Sequence, residues 1–298
     1  MKLSEIHIRD PFILAENETY YLYGTRGADT WGKGYGFDVY VSRDLETFSD
    51  PIEVFTPPHD FWSDKNFWAP EVHKYHGKYY MLASFIGDTR NRGTQILVSE
   101  SPLGPFVPHS NGPVTPAEWN CLDGTLYVDE DGTPYMIYCK EWKQPKEAIV
   151  GEIHAIRLTD DLRAPVGEPI YLFGADKKAW VPKNPKRYVT DGPFVYKTEN
   201  GKMLSGCIVR HLVMPMGVND SRAILKWFAR ELPDTTYLSL MSQYTPFGQI
   251  KNYPELNRGI TEREYQAVVD TAKELGIERI FAQELTSKGE KFIPKWDY

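Results

Sequence analysis

The chain has 298 residues, 41% hydrophobic and 25% charged, with a formal net charge of −7, the balance expected of a globular domain in water. An acidic chain without a basic stripe argues against nucleic acid as a partner. No apolar run reaches about eighteen residues, which argues against a membrane-spanning helix.

The start, MKLSEIHIRDP, lacks an apolar signal core and leads straight into strand-like sequence. A cytoplasmic location is expected, or a secreted one if a signal has been removed. The 8 Trp, 19 Tyr and 14 Phe concentrate in the first two thirds. They suit strands, and their faces also suit the apolar C–H faces of sugar rings. The cysteines Cys121, Cys139 and Cys207 have no CxxC spacing and are expected to be buried free thiols.

In chain order, four segments repeat one design. They are DPFILAENETYYLY from Asp10, APEVHKYHGKYYML from Ala69, DGTLYVDEDGTPYMI from Asp123 and DGPFVYKTENGKML from Asp191. Each opens on a small or acidic residue beside Pro or Gly. An alternating strand, a polar turn and a second strand rich in Tyr or Met follow. Asn17, His76-Gly77, Asp131-Gly132 and Asn200-Gly201 supply the turns. In the fourth copy the strands are expected over 194–197 and 202–204. Further strands are expected over 38–42, 94–99 and 152–158. Repeats spaced by roughly sixty residues, with about four strands each, fit blades of a β-propeller.

Past Met203 the pattern changes. Residues 207–214 read as an apolar run typical of a buried parallel strand. Asn219 or Asp220 is expected to cap a helix over 221–231, and a strand follows over 236–241. Thr261-Glu262-Arg263-Glu264 is a capping box opening a helix that runs to Leu275 and stops at Gly276. A last strand is expected over 279–283. Strand, helix, strand, helix, strand is α/β order. The expected fold is therefore a mostly β, incomplete propeller of three blades and part of a fourth over 1–205, followed by a small α/β partial-barrel segment over 206–298.

In a propeller the innermost strand of each blade starts near the central axis. Asp10, Glu71, Asp123 and Asp191 stand at or beside those starts, so they should converge on one funnel. Crowded carboxylates push each other's pKa values apart. Acid–base hydrolysis of a glycosidic bond uses that split.

Ile8-Arg9-Asp10-Pro11, Trp68-Ala69-Pro70-Glu71-Val72 with Gly77-Lys78-Tyr79-Tyr80, Leu122-Asp123-Gly124 and Asp191-Gly192-Pro193 resemble the family 43 glycoside hydrolases over about residues 1–205. The resemblance implies a five-bladed propeller that inverts the anomeric centre of arabinose- or xylose-containing plant oligo- or polysaccharides. It also implies Asp10 as general base and Asp123 as the group that tunes and orients the acid. The family's acid is a Glu in Glu-Gly-Pro, where this chain has Asp191. Glu141 is the best substitute acid, and Trp68 and Glu71 are candidate substrate contacts. The resemblance allows a calcium ion near the axis, but no ligand spacing places one; otherwise no cofactor is expected. The alternative is a carbohydrate-binding or interaction chimera without hydrolase activity.

Over the last third, residues 208–215, 239–244 and 253–258 resemble the C-terminal part of radical S-adenosylmethionine proteins of the pyruvate formate-lyase activating type. The CxxxCxxC of that family is absent, so neither an iron–sulfur cluster nor S-adenosylmethionine is expected. His211 and Gln243 are expected in strand-end hydrogen bonds. A propeller fragment joined to a barrel fragment leaves open strand edges, which self-association of the chain would cover.

Overall fold

The computed structural model describes residues 1–27, 30–145, 150–175, 187–195, 208–232, 236–246, 253–283 and 285. The chain divides into two units, Met1–Tyr196 and Lys197–Tyr298. The expected turn at Glu199-Asn200-Gly201, the strand over 202–204 and Cys207 lie outside the described residues.

The first unit contains three antiparallel sheets of four strands, each in simple sequence order. The first sheet is β1 (Ile8–Glu16), β2 (Thr19–Arg26), β3 (Phe37–Ser42) and β4 (Ile52–Phe55). The second is β5 (Lys65–Tyr75), β6 (Lys78–Gly87), β7 (Arg90–Ser99) and the two-residue β8 (Val107–Pro108). The third is β9 (Cys121–Val128), β10 (Pro134–Lys140), β11 (Glu152–Leu158) and β12 (Pro165–Gly174). The hairpin turns adopt a left-handed backbone, with φ of 48° and 57° at Asn17 and Glu18, and 46° and 83° at His76 and Gly77; Asn, His and Gly favour it.

Strand alternation divides the core. Along β6, Met81, Ala83 and Phe85 point one way, into a cluster with Tyr23, Phe37 and Phe55 of the first sheet. Tyr80 and Leu82 point the other way, into a cluster with Met136, Tyr138 and Ile156 of the third. The second sheet is thereby sandwiched between its neighbours, buried on both faces. The first strands follow suit, with β1 beside β5 and β5 beside β9.

Beyond β12, Phe194 and Val195 are not in a strand, which corrects the expectation of one starting at 194. This segment is held instead by single contacts to the third sheet. Val150 bridges Tyr188, Gly151 N–H donates to the Tyr188 carbonyl at 2.7 Å, and Val195 packs near Ile137 and Cys139.

The second unit has a parallel sheet in the order β13 (Ile208–Leu212), β14 (Tyr237–Met241), β15 (Ile280–Ala282). Helices α1 (Val218–Glu231) and α2 (Glu262–Glu274) are the crossovers. Leu225, Phe228, Leu238, Leu240, Tyr265 and Val268 form its core. β13 is parallel as expected but only half-buried, because it is an edge strand and Leu238 and Leu240 of central β14 take the buried places. Helix α1 begins earlier than expected. Gly217, not Asn219 or Asp220, occupies the cap and offers no side-chain bond. Asp220 lies in the first turn, where its charge meets the helix dipole. The α2 capping box is present, with Glu264 N–H donating to Thr261 Oγ1 and Thr261 N–H to Glu264 Oε2. His211 Nε2 lies 2.9 Å from Ser221 Oγ, and Gln243 Oε1 accepts from Gln283 Nε2 at 3.0 Å. Both residues make the hydrogen bonds expected of them. Among the described residues, no helix is long and apolar enough to cross a membrane.

Candidate active site

The first strand of each sheet is broken at one corresponding point. Asp10, Ala69 and Asp123 have φ of 50°, 45° and 54°, a left-handed conformation that costs a residue with a Cβ about 1–2 kcal/mol. Pairing slips beside the first two, between Arg9 and Phe12 and between Trp68 and Glu71. In the third sheet it slips between Ile137 and Cys139, opposite Leu122. Such bulges re-aim the side chain that would otherwise continue the alternation. In the first and third sheets that side chain is an aspartate. In the second it is Ala69, and the acid comes two residues later as Glu71.

Each acid is then fixed by different neighbours. The buried Thr25 donates Oγ1–H to Asp10 Oδ2 at 2.8 Å. The same Oγ1 accepts the Ala69 backbone N–H at 2.9 Å, linking the first two sheets. Asp123 N–H donates to Ser84 Oγ at 2.8 Å, linking the second and third. Glu71 Oε2 lies 3.2 Å from His73 Nε2. Asp191 is exposed, but its neighbours anchor it. Thr190 Oγ1 sits 3.1 Å from Cys139 Sγ, and a Cβ at Gly192 would stand 3.1 Å from Asp123 Oδ2.

The acids meet electrostatically at Asp123. Burial pushes its carboxyl well above the ordinary 3.8, and the charges of Asp191, Asp10, Glu71 and Glu141 push it further in the same direction. Asp10 and Asp191, expected to meet Asp123, each lie within electrostatic reach of it. Glu71, expected as a substrate contact, and Glu141, the substitute acid, act on Asp123 as well.

Glu141 follows β10. Its N–H donates to the Asn120 carbonyl at 2.9 Å, and Oε2 accepts from Arg92 Nη1 at 2.8 Å. Burial raises its pKa, Arg92 opposes the rise, and Asp191 adds to it. The Arg92 guanidinium carbon lies 3.9 Å from the centre of the Trp68 ring. Trp68 in turn donates Nε1–H to the Thr30 carbonyl and meets Trp31 edge-on at 5.2 Å. One face of the half-buried Trp68 is thus taken by Arg92. Trp31, 75% exposed, presents the more open ring, with Arg9 5.5 Å from its centre.

Arg92, Thr25, Ser84 and Trp31 escaped the sequence reading. The first three act through contacts 15 to 49 residues away, which no local spacing reveals. Trp31, in Trp31-Gly32-Lys33-Gly34-Tyr35, carried a signal: two aromatics in a glycine-rich turn, where strand packing does not call for them. Cys121 and Cys139 are free and buried, as expected. Among the described residues, no three His, Cys, Asp or Glu side chains are grouped as metal ligands would be.

Among solved structures, the chain is similar to the endo-arabinase from Bacteroides thetaiotaomicron VPI-5482, with 41% identity and a TM-score of 0.60, covering 68% of this chain and 70% of that one. It is also similar to a thermostable family-43 glycoside hydrolase, with 28% identity and a TM-score of 0.57, covering 65% and 61%. Among curated relatives, the extracellular endo-alpha-(1->5)-L-arabinanase 1 of Bacillus subtilis (strain 168) is 26% identical over 145 residues, 45% of this chain and 44% of its own length. The xylosidase/arabinosidase 43A of Humicola insolens is 26% identical over 238 residues, 62% of this chain and 72% of its own length. The chain thus spans less than half of the Bacillus subtilis arabinanase. The pattern of glycosyl hydrolases family 43 matches residues 3–206, well over half of the sequence, and the chain belongs to that family.

Proposed function

We propose that the first unit hydrolyses glycosidic bonds of arabinose- or xylose-containing plant glycans with inversion at the anomeric carbon. The observation that carries this reading is the half-buried Asp123 with four further carboxyls, Asp191, Asp10, Glu71 and Glu141, acting on it. Such a set keeps one carboxyl neutral and another charged at the same pH. The kinds of glycan named for the relatives support the substrate class.

Asp10, oriented by Thr25, takes a proton from the attacking water. Asp123 stays neutral and shapes the field around the donor. The leaving oxygen is protonated from the Asp191 and Glu141 side of the group. Glu71 and Trp68 contact the sugar, and Trp31 offers a ring for stacking. The same proposal includes the wider architecture. The three sheets are blades and the 187–195 segment begins a fourth. The second unit is a partial barrel related to the radical S-adenosylmethionine type through its motifs, and the join falls near residue 205.

The test is release of nitrophenol from aryl α-L-arabinofuranoside and β-xyloside by the wild type and Asp10→Asn. A wild-type rate at least about a hundredfold above the variant is expected, since a positioned base contributes about 10²–10⁴-fold. Equal background rates in both would remove the reading. Sugar binding that persisted with no turnover would then favour a binding module.

A further inference from the structure

We propose that Glu141, and not Asp191, protonates the leaving glycosidic oxygen, with Arg92 as its positioning residue. This rests on the hydrolase reading above and names the proton donor within it.

A general acid has to be held still, kept partly dry and left with one oxygen open to the substrate. Glu141 meets these needs. Its main chain is fixed on both sides, the N–H by Asn120 and the carbonyl by Gln144 Nε2 at 2.7 Å. Its side chain is 15% exposed. Arg92 engages Oε2 at 2.8 Å, which leaves Oε1 without a partner among the described residues. Asp191 meets fewer of them. It stands exposed on a segment outside any strand, and its side chain is a methylene shorter. The mounting of Arg92 also fits a positioning role. Its guanidinium lies flat enough on Trp68 to bring its carbon within 3.9 Å of the ring centre, and its side chain is 12% exposed. Stacking on an indole and pairing with a carboxylate are what a planar guanidinium does better than an ammonium.

The step balances as follows. Water attacks the anomeric carbon and gives one proton to Asp10. The bond from that carbon to the leaving oxygen breaks, its electron pair stays on the oxygen, and the proton on Glu141 Oε1 moves there. The products are a sugar hemiacetal of inverted configuration and an alcohol. Glu141 is left as a carboxylate facing Arg92, whose fixed positive charge stabilises it. Solvent returns the proton from Asp10 to Glu141.

The experiment compares Glu141→Gln, Asp191→Asn and Arg92→Met with the wild type on two substrates. One is an aryl glycoside with a dinitrophenolate leaving group, which needs no proton. The other is a linear arabino- or xylo-oligosaccharide, which does. Glu141→Gln, which keeps the shape and one acceptor for Arg92, should lose about a thousandfold on the oligosaccharide and less than about tenfold on the aryl glycoside. The basic limb of its pH–rate profile should vanish. In Arg92→Met that limb should move to higher pH, because the cation that favours the carboxylate is gone, whereas a purely structural defect would lower the rate at every pH. Matching circular dichroism among the variants checks the fold. If Asp191→Asn shows the split between substrates and Glu141→Gln does not, the assignment to Glu141 is overturned and the hydrolase reading stands. If the wild type turns over neither substrate above the Asp10→Asn background, the hydrolase reading falls and takes the assignment with it.

Discussion

Thr25 holds Asp10. The hydroxyl donates to Asp10 Oδ2 at 2.8 Å and accepts the Ala69 N–H at 2.9 Å, so one buried oxygen aims the proposed base and joins two sheets. Thr25→Val keeps the shape and removes both bonds. It should cost about 1–3 kcal/mol of stability, the penalty for stranding a buried donor, and lower the rate by about tenfold to a hundredfold through a misaimed carboxylate. Thr25→Ser should restore most of both. Urea unfolding and aryl glycoside hydrolysis on the three proteins check this. A valine variant with the wild-type rate would show that Thr25 serves only the join.

Asp123 makes stability depend on pH. In the folded chain, burial and four neighbouring charges raise its pKa well above 3.8, whereas in the unfolded chain it ionises near that ordinary value. Between the two, the folded state binds more protons, so the contribution of Asp123 to stability falls as pH rises. Asp123→Asn does not titrate. Its stability relative to the wild type should therefore increase with pH from 3.8 upward and level off above the folded pKa. Unfolding midpoints of both proteins from about pH 4 to about pH 8 read the slope. A difference that stays flat over that range would mean the site is wet or the acids are further apart.

Asp10 and Asp123 were legible in the sequence because their surroundings repeat: a Pro or Gly beside an acid, then alternation, then a turn. What the repeat could not carry was the left-handed backbone at Ala69, where no acid marks the place. Arg92 was hidden for another reason. Its value lies in reaching Glu141 and Trp68 together, and neither is near it in sequence. The capping box at Thr261 was legible because it is local; the start of α1 was not. Asn219 and Asp220 have good capping side chains, but the chain turns earlier, through Met216 at φ 62° and Gly217. Strand type followed from the apolar run before α1, but burial did not, because β13 lies at a sheet edge that only the tertiary order reveals.

Cys121 and Cys139 should be inert while the chain is folded. Burial pushes the Cys139 thiol up to about 12 and the Cys121 thiol well above its ordinary 9.0, and the thiolate is the reactive form. Iodoacetamide near neutral pH should leave both unmodified in the native protein and alkylate both in urea, as read by peptide mass spectrometry. Rapid native labelling of Cys139 would mean that the Thr190 segment covering it opens readily, and Asp191 with it.

Glu264 ties the second unit together at one carboxylate. It accepts from Arg258 at 2.7 and 2.8 Å, from the Thr261 N–H at 2.9 Å and, across the fold, from the Met216 N–H at 2.9 Å. Arg258 foremost holds its pKa far below the ordinary 4.5. A depressed carboxyl contributes stability that is complete above the unfolded pKa and lost as pH falls through the folded one. Glu264→Gln keeps one acceptor but loses the charge, so it should destabilise the α2 end of this unit by about 1 kcal/mol or more at neutral pH. The gap to the wild type should close as the solution is acidified below 4.5, where the unfolded wild-type chain gains its proton while the folded one does not. Hydrogen exchange of the first α2 amides at neutral and acidic pH measures this locally, without requiring the whole chain to unfold in one step. Protection that was equal in both proteins at neutral pH would mean that the Thr261 hydroxyl alone caps the helix.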